Sequence, residues 1–369
     1  MPGAPNFASG AADAIASPAL LVWPSRVSRN IDRMIEQVGG EVSRLRPHVK
    51  THKMAELVIL QLQAGISKFK CATIAEAEML AVAGAPDILL AYQPVGPNVG
   101  RLRTLVDRFP QVSFAALIDD ASALAVISEG FRDVAQPLRV FIDIDCGMGR
   151  TGIAPGLATG LSQAVAATRG VEFAGLHVYD GHLHEPALEA RRAGFESAID
   201  PIVALAAELR PGSIVGGGSP TFGLHATCEP WECSPGTTLF WDAGYGEKFP
   251  DLEYEVAAAV LTRVISKPGP NRLCLDLGHK AVAAENPLSN RVRFPALPGD
   301  IEFISQSEEH LVVETAAASQ WAVGDALIGI PTHICPTVAL HMEAVLIADD
   351  GTPIGESWKV AARDRRITI

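Results

Sequence analysis

The stretch KFKCATIAEAEMLAVAGAPDILLAY, residues 68–92, sets out the organisation of the chain. In it, two short apolar runs, KFKCAT (68–73) and DILLAY (87–92), flank the Ala-, Glu- and Leu-rich segment IAEAEMLAVAG (74–84). Short apolar runs are typical of buried strands, and Ala, Glu, Met and Leu are strong helix formers. The stretch therefore predicts a strand–helix–strand unit, the building block of a parallel sheet.

The same alternation continues on both sides of this unit. Further predicted strands are EVSRLRPHV (41–49), VSFAALI (112–118), LRVFIDID (138–145), VEFAGLHVY (171–179), GSIVGGG (212–218) and TTLFWDAG (237–244). A second clear helix is predicted over AGFESAIDPIVALAAELR (193–210). Eight strands alternating with helices indicate an α/β protein with a (β/α)8 TIM-type barrel over residues 26–245. A doubly wound open sheet has the same pattern and is the alternative.

After residue 245 the character of the sequence changes. Segments such as YEVAAAVLTRVISK, HLVVETAA, DALIGIPT and ALHMEAVLIA are β-rich and are separated by Pro- and Gly-rich joints. They predict a C-terminal antiparallel β-domain over residues 246–369. The strand-like segment 18–25, SPALLVWP, is expected to pair into this domain, and the small, Ala- and Gly-rich residues 1–17 are expected to form an N-terminal arm.

Composition excludes several classes of partner. The chain has 369 residues, of which 48% are hydrophobic and 20% charged, with a formal net charge of −12. Nucleic acids and anionic membrane surfaces attract basic proteins, so neither is expected as a partner. The sequence has neither an apolar stretch long enough to span a bilayer nor the basic start of a secretory signal. Six scattered cysteines are typical of reduced thiols, which predicts a cytoplasmic protein.

The motif RPHVKTHK (46–53) ends the first predicted strand, where barrel enzymes carry their catalytic groups. Its Lys50 is flanked by His48, His52 and Lys53. Nearby cations and burial favour the neutral lysine amine that Schiff-base chemistry requires. The alternative is a solvated basic loop.

A second motif, FIDIDCGMGRTGI (141–153), is a strand followed by a turn that carries Arg150. An arginine at this end of the barrel is suited to contact an aromatic ring nitrogen or a phenolate of a cofactor. The alternative is a structural salt bridge from Arg150 to Asp143 or Asp145.

A third motif, GLHVYDGHLHE (175–185), brings Tyr179 to a strand end. The flat ring of Tyr179 is suited to stacking on an aromatic cofactor. His182 and His184 follow in the loop and are candidate proton carriers. The alternative is that one or both histidines cap the loop or are solvated.

A fourth motif, VGGGSPTFG (215–223), is a strand that runs into three glycines and two hydroxyl residues. Glycines allow backbone N–H groups to approach an anion, and late barrel strands often hold a phosphate. The candidate phosphate ligands are Gly217, Gly218, Ser219 and Thr221; the alternative is a simple turn.

A fifth motif, PTHICPT (331–337), lies in the predicted β-domain. On an extended chain His333 and Cys335 point to the same side and can share one metal ion. An imidazole and a thiolate suit Zn²⁺, and two protein ligands leave positions open for water or substrate. A coincidental H-x-C spacing is the alternative.

In this order, the motifs resemble those of the D-threonine aldolase and D-serine dehydratase family, fold-type III relatives of alanine racemase. The most specific parts are RPHVKTHK, the D-x-G-x-x-R-x-G of residues 145–152, GGGSPT and the H-x-C-P of residues 333–336, and the resemblance runs from residue 18 to residue 369. It implies pyridoxal 5′-phosphate (PLP) as cofactor, a divalent metal (Zn or Mn) beside it, and a homodimer.

The resemblance also implies roles for individual residues. Lys50 would be the Schiff-base lysine, Arg150 a ligand of the pyridine ring, and Tyr179 would lie against the ring or phosphate. The phosphate would be held by Gly217, Gly218, Ser219 and Thr221, and the metal by His333 and Cys335.

The implied activity is a lyase acting on D-β-hydroxy-α-amino acids. The interpretation favoured here is retro-aldol cleavage of the D-threonine aldolase type, with His182 or His184 as base, because YDGHLH (179–184) and DLGHKAVAAENPLSNR (276–291) are closer to the aldolases. The alternative is a D-serine or D-3-hydroxyaspartate dehydratase, which Cys335 favours because the aldolases have Asp at that position. The metal pair argues against a racemase, and the additional β-domain against a non-catalytic PLP-binding protein.

Overall fold

The structure is a computed structural model that describes residues 4–8, 10–297, 299 and 301–369. The chain forms two compact units. We call Arg33–Gly236 with Asp364–Ile369 the barrel unit, and Met1–Asp32 with Thr237–Arg363 the β-unit. Residues 1–3 and 9 of the predicted arm, and residues 298 and 300 of the predicted β-domain, lie outside the described residues.

The barrel unit is built on a parallel sheet of seven strands, which neighbour each other in chain order. They are β2 (Lys68–Cys71), β3 (Asp87–Leu90), β4 (Ser113–Ile118), β5 (Leu138–Ile144), β6 (Val171–Val178), β7 (Ser213–Gly216) and β8 (Glu232–Cys233). Most residues of these strands are buried, as expected for a parallel sheet that is covered on both faces. Leu89, Ala115, Leu117, Phe141 and Val215 form a buried apolar cluster drawn from four of the strands.

The residues before Lys50 close this sheet into a barrel. Leu45 forms a parallel bridge with Cys233 of β8, and His48 forms one with Lys70 of β2. The N–H of Arg46 donates to the carbonyl of Cys233 at 2.8 Å, and the N–H of Lys70 donates to the carbonyl of Pro47 at 2.9 Å. The predicted (β/α)8 barrel is therefore confirmed, and the open doubly wound sheet is excluded. Only the second half of the predicted strand 41–49 is extended, because Val42–Arg44 form a 3-10 helix.

The predicted strand at residues 237–244 is wrong. Thr237–Leu239 form a 3-10 helix, and a short α-helix begins at Ala243 with Asp242 as its N-cap. The segment is apolar because it is buried, although its backbone is not extended. The eighth strand position is taken instead by Glu232–Cys233, which is too short to give a periodic signal.

Most helices of the barrel unit follow a strand. Helix α3 begins after Thr73, whose hydroxyl accepts the N–H of Glu76, and α5 begins after Asp120, whose carboxylate accepts two N–H groups. The helices of the chain are α1 (Pro24–Gln37), α2 (Ala55–Gln63), α3 (Ile74–Val82), α4 (Pro97–Arg108), α5 (Ala121–Gly130), α6 (Ala158–Ala166), α7 (Leu188–Leu209), α8 (Phe222–His225), α9 (Ala243–Lys248) and α10 (Ile334–Val338). In the described part of the chain, none is both long and apolar enough to cross a membrane.

An ion network joins the amino ends of the barrel strands. The fully buried guanidinium of Arg46 donates to Asp87 and to Glu232, both at 2.6 Å. Lys68 also donates to Glu232, at 2.6 Å, and Arg139 donates to Asp87 at 2.9 Å. This end of a barrel carries stability, whereas the opposite end carries chemistry.

The β-unit is a largely antiparallel sheet in the order β12-β13-β10-β9-β1-β15-β16, with β14 pairing β9 and β11. Its strands are β1 (Ala19–Val22), β9 (Ala258–Gly269), β10 (Arg272–Leu275), β11 (Val292–Arg293), β12 (Glu302–Gln306), β13 (Leu311–Glu314), β14 (Ala326–Pro331), β15 (Glu343–Ile347) and β16 (Pro353–Lys359). Strand β1 lies between β9 and β15, and its pairing with β15 is parallel. The predicted C-terminal β-sheet is therefore confirmed, with one parallel pair in it.

Candidate active site

Tyr179, which follows β6, has three cationic side chains around its ring. The Nζ atoms of Lys50 and Lys70 lie 5.8 and 5.9 Å from the ring centroid, and the guanidinium carbon of Arg150 lies 4.8 Å from it. The structure therefore brings together Lys50, Arg150 and Tyr179, which the sequence had indicated from three separate motifs. Lys70 was missed by the sequence analysis.

The segment that carries Lys50 is not a solvated loop. His48, Val49, Thr51 and His52 are buried, and Lys50 itself is half-buried. The N–H of Lys50 donates to Nδ1 of His48 at 3.2 Å. Burial, and then the charges of Lys50 and Lys70, hold the pKa of His48 well below its ordinary value, so that its imidazole is neutral.

Arg150 is exposed, and the two aspartates considered as its partners are bonded to other groups. The Asp145 carboxylate accepts the N–H groups of Gly147 and Gly149, both at 3.0 Å. Asp143 is hydrogen-bonded to His177 and to Thr151. Among the described residues Arg150 has no salt bridge, and its guanidinium lies against the Tyr179 ring.

A buried chain of polar side chains lies near the carboxyl ends of β2, β5 and β6. Nζ of Lys70 is 3.4 Å from Nε2 of His177, and Nδ1 of His177 is 2.7 Å from Oδ1 of Asp143. The hydroxyl of Thr151 donates to the other oxygen of Asp143 at 2.9 Å. Burial and the charge of Lys70 lower the pKa of His177, which makes its Nε2 an acceptor for the lysine.

The glycine loop after β7 is packed tightly. Gly217 has a φ of 83°, and a Cβ at that position would lie 2.6 Å from the ring of His225. A Cβ at Gly218 would lie 3.2 Å from the ring of Tyr179. Side chains are therefore excluded here, and the bare backbone of the loop lies next to Tyr179.

The hydroxyl groups of this loop already have contacts within the protein. Ser219 Oγ accepts the N–H of Gly236 at 3.2 Å, and the Thr221 hydroxyl donates to Asp180 at 2.9 Å. The other oxygen of Asp180 is 2.8 Å from Nε2 of the fully buried His225. The sequence analysis missed Asp180 and His225. Their contacts with Thr221 and with each other hold the glycine loop in position.

The two candidate bases differ in their surroundings. His182 is half-buried, and a methyl group at Gly147 would lie 2.9 Å from its Nε2, so the ring packs against that glycine. Nδ1 of His182 is shielded from water and has no hydrogen-bond partner among the described residues. His184 is exposed.

The β-unit contains His333 and Cys335, but not on an extended chain as the sequence analysis expected. His333 is the N-cap of α10, and Cys335 is the second residue of that helix. The expected geometry is therefore wrong, yet the two side chains still interact, since Cys335 acts to raise the pKa of His333. Nδ1 of His333 is also 2.7 Å from the carboxylate of Glu285, a contact that the sequence analysis missed.

The groups around His333 favour the charged form of its imidazole. Partial burial opposes the charge on His333, but the hydrogen bond and charge of Cys335, with Asp242 and Glu285, raise the pKa of His333 to about 9. Burial raises the pKa of Asp242 to about 6, and this carboxylate accepts the N–H of Ile334 at 3.0 Å. Asp242 therefore holds the start of α10 in place.

Two sequence families match the chain. The family described as "Alanine racemase, N-terminal domain" matches residues 23–243, and the "Putative serine dehydratase domain" matches residues 257–347. The match to the alanine racemase N-terminal domain covers more than half of the chain. The chain belongs to the alanine-racemase-like, fold-type III family of PLP enzymes.

Individual relatives of this fold-type III enzyme resemble it over nearly its full length. The D-threonine aldolase of Arthrobacter sp. is 29% identical over 94% of this chain and 92% of its own. The 3-hydroxy-D-aspartate aldolase of Paracoccus denitrificans is 30% identical over 95% and 93%. The D-threo-3-hydroxyaspartate dehydratase of Delftia sp. is 26% identical over 93% and 96%.

Among solved structures, the enzyme is similar to the D-threonine aldolase from Filomicrobium marinum. The TM-score is 0.87 at 27% identity, and the match covers 95% of both chains. The named relatives are lyases, and this chain is accordingly a PLP-dependent lyase.

The side chains around Tyr179 fit PLP. The cofactor requires a lysine amine for its aldehyde, a flat surface for its ring and positive charge for its anionic oxygens. Lys50, Tyr179 and Arg150 supply these groups, and the loop of Gly217 and Gly218 has the bare backbone that a phosphate requires.

The donor atoms of His333 and Cys335 also fit a divalent metal, and they would supply two of its ligands. Among the described residues, no group of three or more His, Cys, Asp or Glu side chains is arranged to hold a metal ion. The donor set of an imidazole and a thiol suits Zn²⁺. Glu285 at Nδ1 of His333 is the kind of carboxylate that orients a metal-binding histidine and leaves Nε2 available.

Proposed function

We propose that this enzyme cleaves D-β-hydroxy-α-amino acids, D-threonine among them, into glycine and an aldehyde. The observation that carries the proposal is Nδ1 of His182, three residues after Tyr179, which is shielded from water and has no hydrogen-bond partner in the described part of the chain. Retro-aldol cleavage requires a base for the β-hydroxyl proton, and this ring nitrogen is available to act as one. The aldolase names of several full-length relatives support the same activity.

Three side chains of the barrel unit have a proposed part in holding the cofactor: those of Lys50, Tyr179 and Arg150. PLP, when bound, draws electrons away from the α-carbon of the amino acid attached to it. Lys50 would hold the aldehyde carbon of PLP. Tyr179 would support the pyridine ring, and Arg150 would be a ligand of that ring.

The proposed phosphate site is the loop of Gly217, Gly218, Ser219 and Thr221. The glycines contribute backbone, and Ser219 contributes its hydroxyl, which already accepts the N–H of Gly236. The Thr221 proton is directed to Asp180, so Thr221 acts by holding the shape of the loop.

The proposed metal ligands are His333 and Cys335, with a bound Zn²⁺ or Mn²⁺. A metal ion there would supply a Lewis acid for the β-hydroxyl group of the substrate. Protons compete with a metal ion for an imidazole and a thiol, so metal binding would release protons and would weaken at low pH.

The proton steps are assigned to His182 first. Its ring would take the proton of the β-hydroxyl, and Gly147 allows the ring to lie close to the loop after β5. His184 remains the second candidate base, although it is exposed.

A dehydratase is the second candidate, and Cys335 is the observation that favours it. A thiolate is a softer metal ligand than the aspartate expected in an aldolase. In this alternative, Lys50 would remove the α-proton, the β-hydroxyl would leave as water, and hydrolysis of the resulting imine would give a keto acid and ammonia. The dehydratase relative shares the full length of the chain.

Product analysis with D-threonine, D-serine and D-3-hydroxyaspartate distinguishes the two candidates. We expect glycine and acetaldehyde from D-threonine and no cleavage of L-threonine. The H182A variant should lower kcat by about 10²- to 10⁴-fold, the usual effect of a positioned base. H184A, in the same loop, tests the second candidate base: a loss of this size in H184A instead of H182A would assign the role to His184. If 2-oxobutanoate and ammonia are the main products, the dehydratase replaces the aldolase.

Two general properties complete the proposal. The enzyme is proposed to be a homodimer, which sedimentation equilibrium tests directly. The six free thiols of the described residues support a reducing, cytoplasmic location.

A further inference from the structure

Lys70 is a buried amine at the carboxyl end of β2 that none of the proposed roles uses. It is 2% exposed, and the parallel bridge between Lys70 and His48 places it on the strand beside the segment that ends in Lys50. Its Nζ lies 5.9 Å from the centroid of the Tyr179 ring, and the Nζ of Lys50 lies 5.8 Å from it. The two amines therefore approach the same ring.

The hydrogen bonds of Lys70 are incomplete. A lysine ammonium has three N–H donors, and the one side-chain partner of Lys70 among the described residues is Nε2 of His177, at 3.4 Å. A buried amine with unused donors is costly unless a ligand accepts from them. His177, which is itself hydrogen-bonded to Asp143, accepts one N–H group of Lys70. The remaining N–H groups of Lys70 are left for a group beside Tyr179.

The electrostatic surroundings make this amine easy to neutralise. Burial, and then the charge of Lys50, lower the pKa of Lys70 to about 7, although Asp143 and Asp180 act in the opposite direction. The charged and titratable groups that act on Lys70 or are influenced by it are Lys50, Arg46, His48, His177, Asp143 and Asp180. An anion placed beside Lys70 would stabilise its charged form.

We propose that Lys70 is a second cofactor-binding amine, which donates a hydrogen bond to the phenolate oxygen of PLP while Lys50 holds the aldehyde carbon. The argument rests on the proposed function in that it takes Lys50 as the Schiff-base lysine. In PLP the phenolate oxygen and the aldehyde stand on adjacent ring atoms. A donor beside the amine that binds the aldehyde is therefore beside the phenolate.

This contact has a measurable electronic consequence. The phenolate ordinarily stabilises the protonated Schiff base through the hydrogen bond between them. A cationic donor that shares the phenolate weakens that bond and adds a positive charge nearby, so it lowers the pKa of the Schiff base. Removal of Lys70 should raise that pKa and weaken cofactor binding.

The test is a pH titration of the visible absorbance of the PLP-loaded enzyme, compared between wild type and K70M. Methionine is about as large as lysine and carries no charge, so it suits a buried position. We expect the midpoint of the Schiff-base titration to rise by about one to three pH units in K70M. The Kd for PLP should rise about 10- to 100-fold, the effect of losing one hydrogen bond to a charged group.

K68M is the matched control. Lys68 lies on the same strand two residues earlier, and its amine pairs with Glu232 at 2.6 Å in the ion network at the amino ends of the strands. The same substitution there should leave the spectral midpoint unchanged. If K70M does not accumulate as folded protein, K70Q, which keeps an N–H donor but no charge, is titrated in its place and should show the same direction of shift.

The outcomes separate this inference from the proposed function. If borohydride labels Lys50 and D-threonine is cleaved, but K70M titrates like wild type and binds PLP as tightly, Lys70 has no role at the phenolate and the inference fails alone. If borohydride labels Lys70 instead of Lys50, the division of roles between the two lysines is overturned. A midpoint that rises in K70M and K68M alike is a general effect of lost charge and also contradicts the inference.

Discussion

Substitution of Gly217 by alanine tests whether the glycine loop is shaped by the buried side chains beneath it. Gly217 has a φ of 83°, a left-handed conformation in which a side chain is strained. An added Cβ would lie 2.6 Å from Cδ2 and 3.1 Å from Cγ of His225. His225 is fully buried and bonded to Asp180 at 2.8 Å, so its ring cannot move aside without breaking that contact.

The magnitude follows from these two effects. The left-handed conformation costs a residue with a Cβ about 1–2 kcal/mol. Overpacking of a filled site costs a further ~1–3 kcal/mol. The expected loss in the free energy of unfolding is therefore about 2–5 kcal/mol. For a unit of this size each kcal/mol lowers Tm by about 2–4 °C, so G217A should lose at least about 4 °C.

Gly223 offers a control in the same region. A Cβ at Gly223 meets nothing within 4 Å, and the residue lies in α8 with an ordinary backbone conformation. G223A should therefore change the free energy of unfolding by no more than about 1 kcal/mol, in the stabilising direction.

Calorimetry of the PLP-free protein measures the loss in Tm, and absorbance titration with PLP measures cofactor affinity. G217A should lower both, whereas G223A should lower neither. If G217A has the same Tm as the wild type, the contact with His225 does not constrain the loop. If it is destabilised but binds PLP as tightly as the wild type, the loop is not part of the phosphate site.

Three further predictions concern the lysine, the metal and acid stability. Borohydride reduction of the PLP-loaded enzyme followed by peptide mapping should mark Lys50, and a mark on Lys53 or no bound cofactor contradicts the assignment. Chelation, or the H333A variant, should abolish turnover and leave the visible spectrum largely intact, because the proposed ligands belong to the β-unit; full activity in metal-free protein refutes the metal site. Burial opposes the charges on Asp87 and Glu232, but the charge and hydrogen bonds of Arg46 lower both pKa values below the ordinary 3.8 and 4.5. The two carboxylates therefore stabilise the fold fully above their ordinary pKa values, and this contribution is lost as the pH falls through their lower pKa values in the folded protein. The Tm of wild type should fall steeply below about pH 4, and that of E232Q should fall less steeply.

The barrel could be predicted because buried parallel strands and helices leave strong local patterns. The strands around residues 68–92 appeared where the alternation of residue types indicated them. The failure at 237–244 has a physical cause: burial, rather than extension, makes a run apolar, and a 3-10 helix with a capped turn can be as apolar as a strand. A two-residue strand such as Glu232–Cys233 carries no periodicity at all.

The candidate site also contains some residues that the sequence indicated and others that it could not. Lys50, Arg150 and Tyr179 each stand in a motif with local character, and the structure brings them to one ring. Lys70 and His177 meet across 107 residues of sequence, so no local pattern connects them. A lysine between the buried residues Phe69 and Cys71 was the one available signal, because a buried lysine requires a partner or a function.

The pairing of β1 also bears on how the protein is made. Ala19–Val22 are synthesised early, yet their sheet partners are β9 and, on the other edge, Glu343–Ile347 of β15. The barrel unit likewise includes Asp364–Ile369, where Glu78 accepts the N–H groups of Thr368 and Ile369. During synthesis, β1 therefore has no sheet partner until β9 has been made, and it gains the partner on its other edge only when β15 follows. The β-unit consequently cannot complete its sheet around β1 until the barrel unit's strands have all been synthesised.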